Sequence, residues 1–423
     1  MTQATPTPAP IPDPLAHIPP PAGRRLALRA TPAGQHAVRT GHPWLFDQAI
    51  TAPPDVGQPG DLAVIFDDRR RFLAIGLYDP ASPIRVRVLH HGDPETIDRA
   101  WLVERLRQAA ALRAGLPEQN TTGYRLAHGE NDGLPGLVVD RYDDTLVVKL
   151  YTAAWLPWLT DLRAALTEVC APRRMILRLS RDVLSRPEFL YGLTDGAALL
   201  GALPDAAVAF RENGLLFEAD VLRGQKTGFF FDQRDNRARV RELAAGKRTL
   251  NVFAYTGGFS LYAAAGGAPA ALSLDASAPA LAAAERHFAL NRDLPRVAAC
   301  RHTILTADAF AALADLHSQR QRYDLVIVDP PALAKQASEI ARAVQSYRRL
   351  TRLALAVLAP AGTLVMASCS SRVSADLFFA AVNQSAAQAG RPLREITRTG
   401  HALDHPVRFP EGAYLKCLFA SAA

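Results

Sequence analysis

The chain has 423 residues, of which 49% are hydrophobic and 21% charged, and its formal net charge is +7. This composition predicts a folded globular protein, and the length favours two or three domains. Four cysteines without C-x-x-C spacing, with few histidines nearby, argue against a disulfide framework and against a zinc site. A reducing cytoplasm fits them best.

The first three segments along the chain differ in texture. Residues 1–23 hold eight prolines and no Lys or Arg, which predicts a disordered tail rather than a signal peptide. Residues 24–92 contain the β-prone runs LAVIF, RFLAIGLY and IRVRVL between Gly, Pro and Asp, which predict a small all-β module. Residues 93–222 begin with a helical pattern and continue as a small central α+β domain with a helix near residues 155–168.

Residues 223–423 predict a different architecture. Short apolar runs alternate there with long helical stretches, and the runs are TLNVF, ALSLD, HTILTAD, YDLVIVDPP and GTLVMASCS. This alternation is typical of a doubly wound parallel sheet, so we expect an α/β fold for this domain. The most apolar stretch, residues 353–369, is interrupted by Pro360 and Gly362 well short of a membrane span, so no membrane segment is expected.

Ligands of open parallel sheets bind at the carboxyl ends of the strands. The first strand runs into the turn AYTGGFS, and Asp275 ends the second strand 18 residues after Gly257, where a carboxylate can accept hydrogen bonds from a ribose. The turn lacks the G-x-G-x-x-G pattern of a pyrophosphate site, which favours a nucleoside without phosphates, most commonly S-adenosylmethionine. The candidate cofactor-binding residues are Phe253, Tyr255, Gly257, Asp275, Asp308 and Asp329.

The fourth and fifth strands end in the motifs that carry chemistry. The Asp-Pro-Pro motif (329–331) removes two backbone donors and leaves carbonyl oxygens and a carboxylate, which suits a planar base bearing an amino group; a simple strand stop is the alternative. The Ser-Cys-Ser motif (368–370) places Cys369 before a helix predicted to begin near Val373, whose N-terminus would favour a thiolate. Cytosine C5 is too electron-poor to take a methyl group directly, and a thiolate added at C6 activates it. Cys369 is thus the candidate nucleophile and Asp329 the candidate partner of the base. The other cysteines are interpreted as small core or surface residues without a chemical role: Cys170, Cys300 and Cys417.

Two segments carry an excess of positive charge. Residues 221–250 hold eight Lys or Arg against three Asp or Glu, and residues 345–423 hold nine against four. Either excess is compatible with a solvated face or with an anionic partner. The candidate phosphate contacts are Arg223, Lys226, Arg234 and Arg237.

With these motifs in place, residues 24–420 resemble the bacterial RlmI-like class I methyltransferases, which form 5-methylcytosine in 23S ribosomal RNA. The resemblance rests on the motifs GHPWLF, GENDGLPGLVVDRY, ENGLLFEADVLRGQKTGFFFDQRDNR, NVFAYTGGFSLYAAAGGA, DPPALAK, SCS and DHPVRFPEGAYLK, which occur in this order. It implies an N-terminal PUA-like RNA-binding domain, a Rossmann-like methyltransferase domain, and 23S rRNA or an assembling large ribosomal subunit as partner. It also implies that Gly257, Asp275 and Asp308 help hold S-adenosylmethionine and that Cys369 is the nucleophile. The sequence leaves open whether the chain is a monomer or a homodimer.

Two departures and two alternatives accompany this resemblance. Asn251 stands where class I methyltransferases usually have an acidic residue, and Leu333 stands where relatives often have Phe. Methylation of a guanine in 23S rRNA would need no thiol, but an aromatic residue usually follows Asp-Pro-Pro in such enzymes, and Ala332 and Leu333 follow here. A catalytically inactive RNA-binding assembly factor is the second alternative, although none of the strand-end residues shows the decay that it predicts.

Overall fold

The computed structural model describes residues 13–51 and 57–422, and the chain divides into two compact units. The first unit consists of Met1–Ala114, Arg125–Val208 and Ala219–Phe229, and the second of Gly115–Tyr124, Ala209–Glu218 and Phe230–Ala423. Within the described ranges no helix is long and apolar enough to cross a membrane.

The elements in chain order up to residue 200 are β1 (Arg25–Arg29), α1 (Pro32–Arg39), β2 (Trp44–Phe46), β3 (Leu62–Phe66), β4 (Phe72–Tyr78), β5 (Ile84–His91), α2 (Arg99–Leu112), β6 (Gly123–His128), β7 (Leu137–Tyr142), β8 (Thr145–Leu150), α3 (Leu159–Cys170), β9 (Arg174–Leu179), α4 (Arg181–Leu184) and β10 (Ala198–Leu200). They form two five-stranded sheets, one in the order β1-β3-β4-β5-β2 and one in the order β10-β9-β8-β7-β6. The predicted β-rich module and the predicted central α+β domain each correspond to one of these sheets.

Two features of the N-terminal segment differ from the expectations. The predicted all-β module contains helix α1, which Thr31 caps by accepting from Gly34 N and which begins with proline. Proline is well suited to the first position of a helix, which is compatible with a helix over the segment PAGQHAVR. Residues 13–23 are not a disordered tail, because Leu15 and Ile18 are buried and Asp13 pairs with Arg163 at 2.7 Å. The rest of the predicted tail, residues 1–12, lies outside the described residues.

The remaining elements are β11 (Val208–Glu212), β12 (Leu215–Ala219), α5 (Arg234–Leu243), β13 (Thr249–Val252), α6 (Gly258–Ala265), β14 (Ala270–Asp275), α7 (Ala278–Leu290), α8 (Pro295–Ala299), β15 (Arg301–Thr306), α9 (Ala309–Ser318), β16 (Tyr323–Val328), α10 (Ile340–Val357), β17 (Leu358–Ser368), α11 (Ala375–Gln388), β18 (Leu393–Thr399) and β19 (Lys416–Ala422). The hairpin β11-β12 belongs largely to the second unit, not to the predicted central domain. Its aromatic side chains explain this, because Phe217 stacks on Tyr262 and Phe210 packs edge-on against Phe231. Conversely, residues 219–229 belong to the first unit, so the predicted boundary at residue 222 is not where the structure divides.

A seven-stranded sheet in the order β15-β14-β13-β16-β17-β19-β18 forms the centre of the second unit. Strands β13 to β17 are parallel to one another, as the sequence predicts, and β19 is antiparallel to its two neighbours β17 and β18. The central strands are apolar and fully buried, as expected for a parallel sheet covered on both faces. Helix α10 buries one stripe against this sheet, with Val344, Tyr347 and Leu350 at helical spacing.

Candidate active site at the carboxyl ends of the parallel strands

The loop after β13 has an unusual backbone. Phe253, Tyr255 and Gly257 all have positive φ, at 61°, 48° and 73°. Left-handed conformations of non-glycine residues are strained and tend to occur at ligand sites. Two reasons favour glycine at position 257. Its positive φ is unfavourable for other residues, and a Cβ there would lie 2.6 Å from the Cβ of Ala284 in α7.

Asp275 holds this loop from the end of β14. Its Oδ2 accepts from Tyr255 N at 2.8 Å, and its Oδ1 accepts from Ser277 N at 2.9 Å. Each carboxylate oxygen keeps a second lone-pair site, and the half-buried side chain remains accessible. Asp275 can therefore accept from ribose hydroxyls while it fixes the loop.

Asp308, a predicted cofactor-binding residue, also caps a helix. Its Oδ1 caps α9 by accepting from Phe310 N and Ala311 N, both at 3.0 Å, and its side chain is exposed. A contact of Asp308 with the cofactor stays a prediction.

Below the loop, Asn251 is fully buried in β13. Its Nδ2 donates to Ser260 Oγ at 3.0 Å, and Ser260 Oγ lies 2.7 Å from Ser273 Oγ, which is 2.9 Å from His302 Nε2. Burial lowers the pKa of His302 to about 4, so this chain of polar groups carries no charge at neutral pH. Within the described residues, Asn251 Oδ1 is a buried acceptor without a partner. An acidic residue at this position would have been a buried charge, which explains why asparagine is tolerated.

The Asp-Pro-Pro and Ser-Cys-Ser motifs are in direct contact, as their positions at the ends of neighbouring strands predict. Strands β16 and β17 pair with Val328 opposite Met366. The Cys369 Sγ lies 3.8 Å from the Pro330 carbonyl oxygen, and Leu333 N donates to Ser370 Oγ at 2.8 Å. Both Asp329 and Cys369 are half-buried at this edge.

Tyr347 of α10 fixes the Ser-Cys-Ser motif. Its hydroxyl lies 2.7 Å from Ser368 Oγ and 2.9 Å from Ser370 Oγ, and all three side chains are fully buried. Burial, together with the charges of Cys369 and Asp329, raises the pKa of Tyr347, which keeps its proton available for this network. The serines on either side of Cys369 are therefore structural, and only the cysteine is available to a ligand.

The other three cysteines are unsuited to act as nucleophiles. Burial raises the pKa of both Cys170 and Cys300 to about 11 and raises the pKa of Cys417 further. These thiols stay protonated at neutral pH, and the thiolate is the reactive form. The helix after Cys369 begins at Ala375 with Ser374 as its cap, close to its predicted start near Val373.

Arg234 and Arg237 contradict their prediction as phosphate contacts. Arg234 makes two hydrogen bonds of 2.9 Å to Asp404, and Arg237 makes bonds of 2.8 and 2.7 Å to Glu212. All four side chains are buried, so the two arginines neutralise carboxylates within the unit and are not exposed to phosphates. The motif that contains both arginines is rich in charge because it builds two internal ion pairs.

Arg223 and Lys226 are exposed and remain predicted phosphate contacts. Lys149 joins them, since its Nζ donates to the Lys226 carbonyl oxygen at 3.0 Å. The sequence reasoning missed Lys149, which lies in a strand far away in the chain, and it also missed Tyr347 and Lys416. The motif GAYLK, which contains Lys416, was the only available signal for the last of these.

The strand order, the strained loop after the first strand and the carboxylate at the end of the second strand are typical of a nucleoside site in a doubly wound α/β fold. Comparison with known proteins identifies the class of protein. The family model of S-adenosylmethionine-dependent methyltransferases matches residues 124–418, and that of PUA-like domains matches residues 28–91.

Curated relatives cover nearly the whole chain. A protein of Deinococcus radiodurans named ribosomal RNA large subunit methyltransferase is 48% identical over 400 residues, which span 93% of this chain and 97% of the relative. A protein of Alteromonas mediterranea named ribosomal RNA large subunit methyltransferase I is 36% identical and spans 92% of this chain and 96% of the relative. The chain belongs to this family of S-adenosylmethionine-dependent methyltransferases with a PUA-like domain.

Solved structures support the fold. A SAM-dependent methyltransferase from Streptococcus mutans is 21% identical and has a TM-score of 0.78. The match covers 94% of this chain and 100% of that chain. A second methyltransferase structure with the same TM-score and identity is described as complexed with SAH. The family model makes S-adenosylmethionine the cofactor, and three features of the second unit fit it: the strained backbone loop, the Asp275 carboxylate and the buried acceptor of Asn251.

Proposed function

We propose that the protein forms 5-methylcytosine in 23S ribosomal RNA through a covalent bond between Cys369 and cytosine C6. The observation that carries this proposal is the half-buried Cys369, whose Sγ lies against the Asp-Pro-Pro motif at the carboxyl ends of the parallel strands. The three remaining thiols are held protonated by burial. The names of the relatives support the large ribosomal RNA as substrate.

The thiolate would work as follows. Its lone pair forms the Sγ–C6 bond, and the electrons of the C5=C6 double bond make C5 a carbon nucleophile. S-adenosylmethionine supplies the methyl group as an electrophile on a sulfonium, which departs as a neutral thioether. After C5 has gained the methyl group it loses its proton to a base, and the electrons of the C5–H bond restore the double bond and expel Cys369 as thiolate.

Asp329 would bind the base during these steps. Its side chain lies at the end of the strand next to Cys369, and the prolines that follow leave only acceptors at this rim. Once protonated, this carboxyl group can donate to the ring nitrogen of cytosine while its other oxygen accepts from the amino group. It would stabilise the charge that the adduct places on this edge of the ring.

Binding of S-adenosylmethionine would fall to the opposite side of the cleft. Asp275 would accept from the ribose, the loop with Phe253, Tyr255 and Gly257 would surround the nucleoside, and the Asn251 Oδ1 would accept from a donor on the cofactor or from a water. Asp308 and Asp329 are the other candidates for contact with the cofactor.

RNA would be bound in part by cations of the first unit. Arg223 and Lys226 are exposed, the half-buried Lys149 contacts Lys226, and the PUA-like domain lies in the same unit. Contacts of this kind release counterions, so binding would weaken steeply as the salt concentration rises.

The test is a methylation assay on 23S rRNA and on assembling large subunits, with the modified nucleoside identified by mass spectrometry. We expect 5-methylcytidine from the wild-type protein and from Cys170→Ala, which changes the other half-buried cysteine. A methylated guanosine would replace the proposal by the first alternative. Tight RNA binding without methyl transfer or S-adenosylmethionine binding would favour an assembly factor.

A further inference from the structure

Lys416 is a buried cation next to the Ser-Cys-Ser motif. It is the first residue of β19 and lies opposite Ser368 in the antiparallel ladder with β17. Only 5% of the residue is exposed. Its side chain therefore lies within the unit, directly beside the segment that carries Cys369.

The Lys416 ammonium group bonds the turn between β17 and α11. Its Nζ donates to the Ser370 carbonyl oxygen at 2.7 Å and to the Val373 carbonyl oxygen at 2.7 Å. Cys369 precedes this pair of bonds by one residue. The lysine therefore fixes the backbone on the carboxyl side of the thiol, while Tyr347 fixes the serine side chains on both sides of it.

The burial of Lys416 is not compensated by a carboxylate. In the described part of the chain, no Asp or Glu forms an ion pair with it, and both of its partners are neutral carbonyl groups. Burial lowers the pKa of Lys416 to about 8, and the negative charge on Cys369 opposes this decrease. A desolvated cation without a carboxylate is costly, and a thiolate in the same site would complement it.

The other titratable groups near this segment include the exposed cations Lys335 and Arg372, the half-buried Asp329 and several neutral groups. The charge of Asp329, at the end of β16, helps to raise the pKa of Tyr347, which is protonated. On the other side of Lys416, burial lowers the pKa of His401 to about 4, so this imidazole is neutral at pH 7. Cys417, the next residue in β19, is fully buried and protonated. Lys416 thus adds a buried positive charge beside Cys369, to which the exposed Lys335 and Arg372 are more weakly coupled through solvent.

We propose that Lys416 is a positioning residue for Cys369, holding the turn 370–373 and stabilising the Cys369 thiolate with its ammonium charge. The proposal rests on the proposed function, in which the thiolate occurs twice, before it adds to cytosine and after it is expelled. In both states the ammonium would favour the same ionised form of the sulfur.

The first experiment measures ionisation of Cys369 directly. The rate of iodoacetamide alkylation of Cys369, followed by peptide mass spectrometry as a function of pH, gives the pKa of the thiol. We expect Lys416→Met to raise this pKa by about 1–3 units, the usual effect of removing an opposite charge nearby. Lys416→Arg should return the pKa of the thiol most of the way to its wild-type value, because arginine keeps the positive charge.

Lys247→Met is the matched control. Lys247 also bonds β17 through its side chain, at Thr363 Oγ, and is also partly buried. It lies near the start of the strand rather than at the carboxyl end. We expect this variant to leave the alkylation profile of Cys369 unchanged.

A reciprocal experiment does not depend on the folding of a lysine variant. Removing the sulfur in Cys369→Ala should lower the pKa of Lys416 below its value of about 8 in the wild type, as measured by the pH dependence of lysine acetylation at this residue. An unchanged alkylation profile in folded Lys416→Met, or an unchanged lysine pKa in Cys369→Ala, would overturn the proposal. Methylation by Cys369→Ala would instead overturn the proposed function, whatever the two pKa values are.

Discussion

The two halves of the seven-stranded sheet end in different kinds of groups. On the side of β13, β14 and β15, the proposed cofactor edge, the structure uses backbone: three left-handed residues in one loop, amides held by Asp275, and a glycine packed against α7. On the side of β16, β17 and β19, the proposed catalytic edge, it uses side chains: Cys369, Asp329, two serines, a tyrosine and a lysine.

This difference follows from what each edge must do. A nucleoside is recognised by shape and by a few hydrogen bonds, which a rigid loop can supply. A covalent reaction needs one group in one ionisation state at one position, and this requires neighbouring side chains to fix and tune it. The two edges should therefore fail separately when they are mutated.

The largest effect is expected at the catalytic edge. Cys369→Ala should reduce methyl transfer to background, because the other thiols are protonated and no nucleophile remains. Affinity for S-adenosylmethionine, measured by calorimetry, should stay within a factor of about two to three, because the cofactor edge is unchanged. Turnover at the wild-type rate by this variant would show that the chemistry needs no thiol.

The next effect concerns the buried ion pair of Arg237 and Glu212 in the second unit. Arg237→Met leaves Glu212 buried without its partner and should lower the free energy of unfolding by about 3–5 kcal/mol. Urea denaturation measures this loss. Arg239→Met, in the same helix but in an exposed pair with Glu242, should cost no more than about 1 kcal/mol. Equal losses in the two variants would contradict the structural assignment of Arg237.

A smaller effect is expected for the ribose contact. Asp275→Asn should weaken S-adenosylmethionine binding by about 1.5–3 kcal/mol, the range for hydrogen bonds to a charged group. The kcat at saturating cofactor should change little, since Cys369 lies at the other edge. Asp308→Asn serves as the comparison, because it keeps an oxygen that can cap α9. A loss of kcat without a loss of affinity in Asp275→Asn would contradict the separation of cofactor binding from catalysis.

The smallest effect belongs to the exposed cations of the first unit. Arg223→Ala combined with Lys226→Ala should reduce the slope of log affinity for RNA against log salt by about 2, one for each lost phosphate contact. Filter binding at several salt concentrations measures this slope. S-adenosylmethionine binding should be unaffected, and an unchanged slope would remove both residues from the RNA surface.

The sequence predicts the parallel part of the sheet because its strands are short apolar runs that end in Asp275, Asp308, Asp329 and Cys369. It does not predict β18 and β19, whose neighbours are set by antiparallel pairing with β17. Nor does it distinguish Arg223 from Arg237, because the partners Glu212 and Asp404 are distant in the chain. Local sequence patterns predict where the strands end, whereas contacts between distant residues determine which charges are buried.

The same limit applies to the site. Cys369 and Asp329 follow from their positions at the ends of adjacent strands. Tyr347 and Lys416 do not, because a tyrosine at a helical core spacing and a lysine beginning a strand have no local feature that points to the thiol. Only the packing of α10 and β19 against β17 brings them to it.

The covalent adduct is the central claim, and RNA containing 5-fluorocytidine at the target position tests it most directly. Fluorine cannot leave C5 as a proton does, so the methylated adduct should persist as a denaturation-resistant complex of protein and RNA. Peptide mass spectrometry of this complex should identify Cys369 as the attached residue. Absence of a complex under conditions where ordinary cytidine is methylated, or attachment at Cys170, Cys300 or Cys417, would contradict the account.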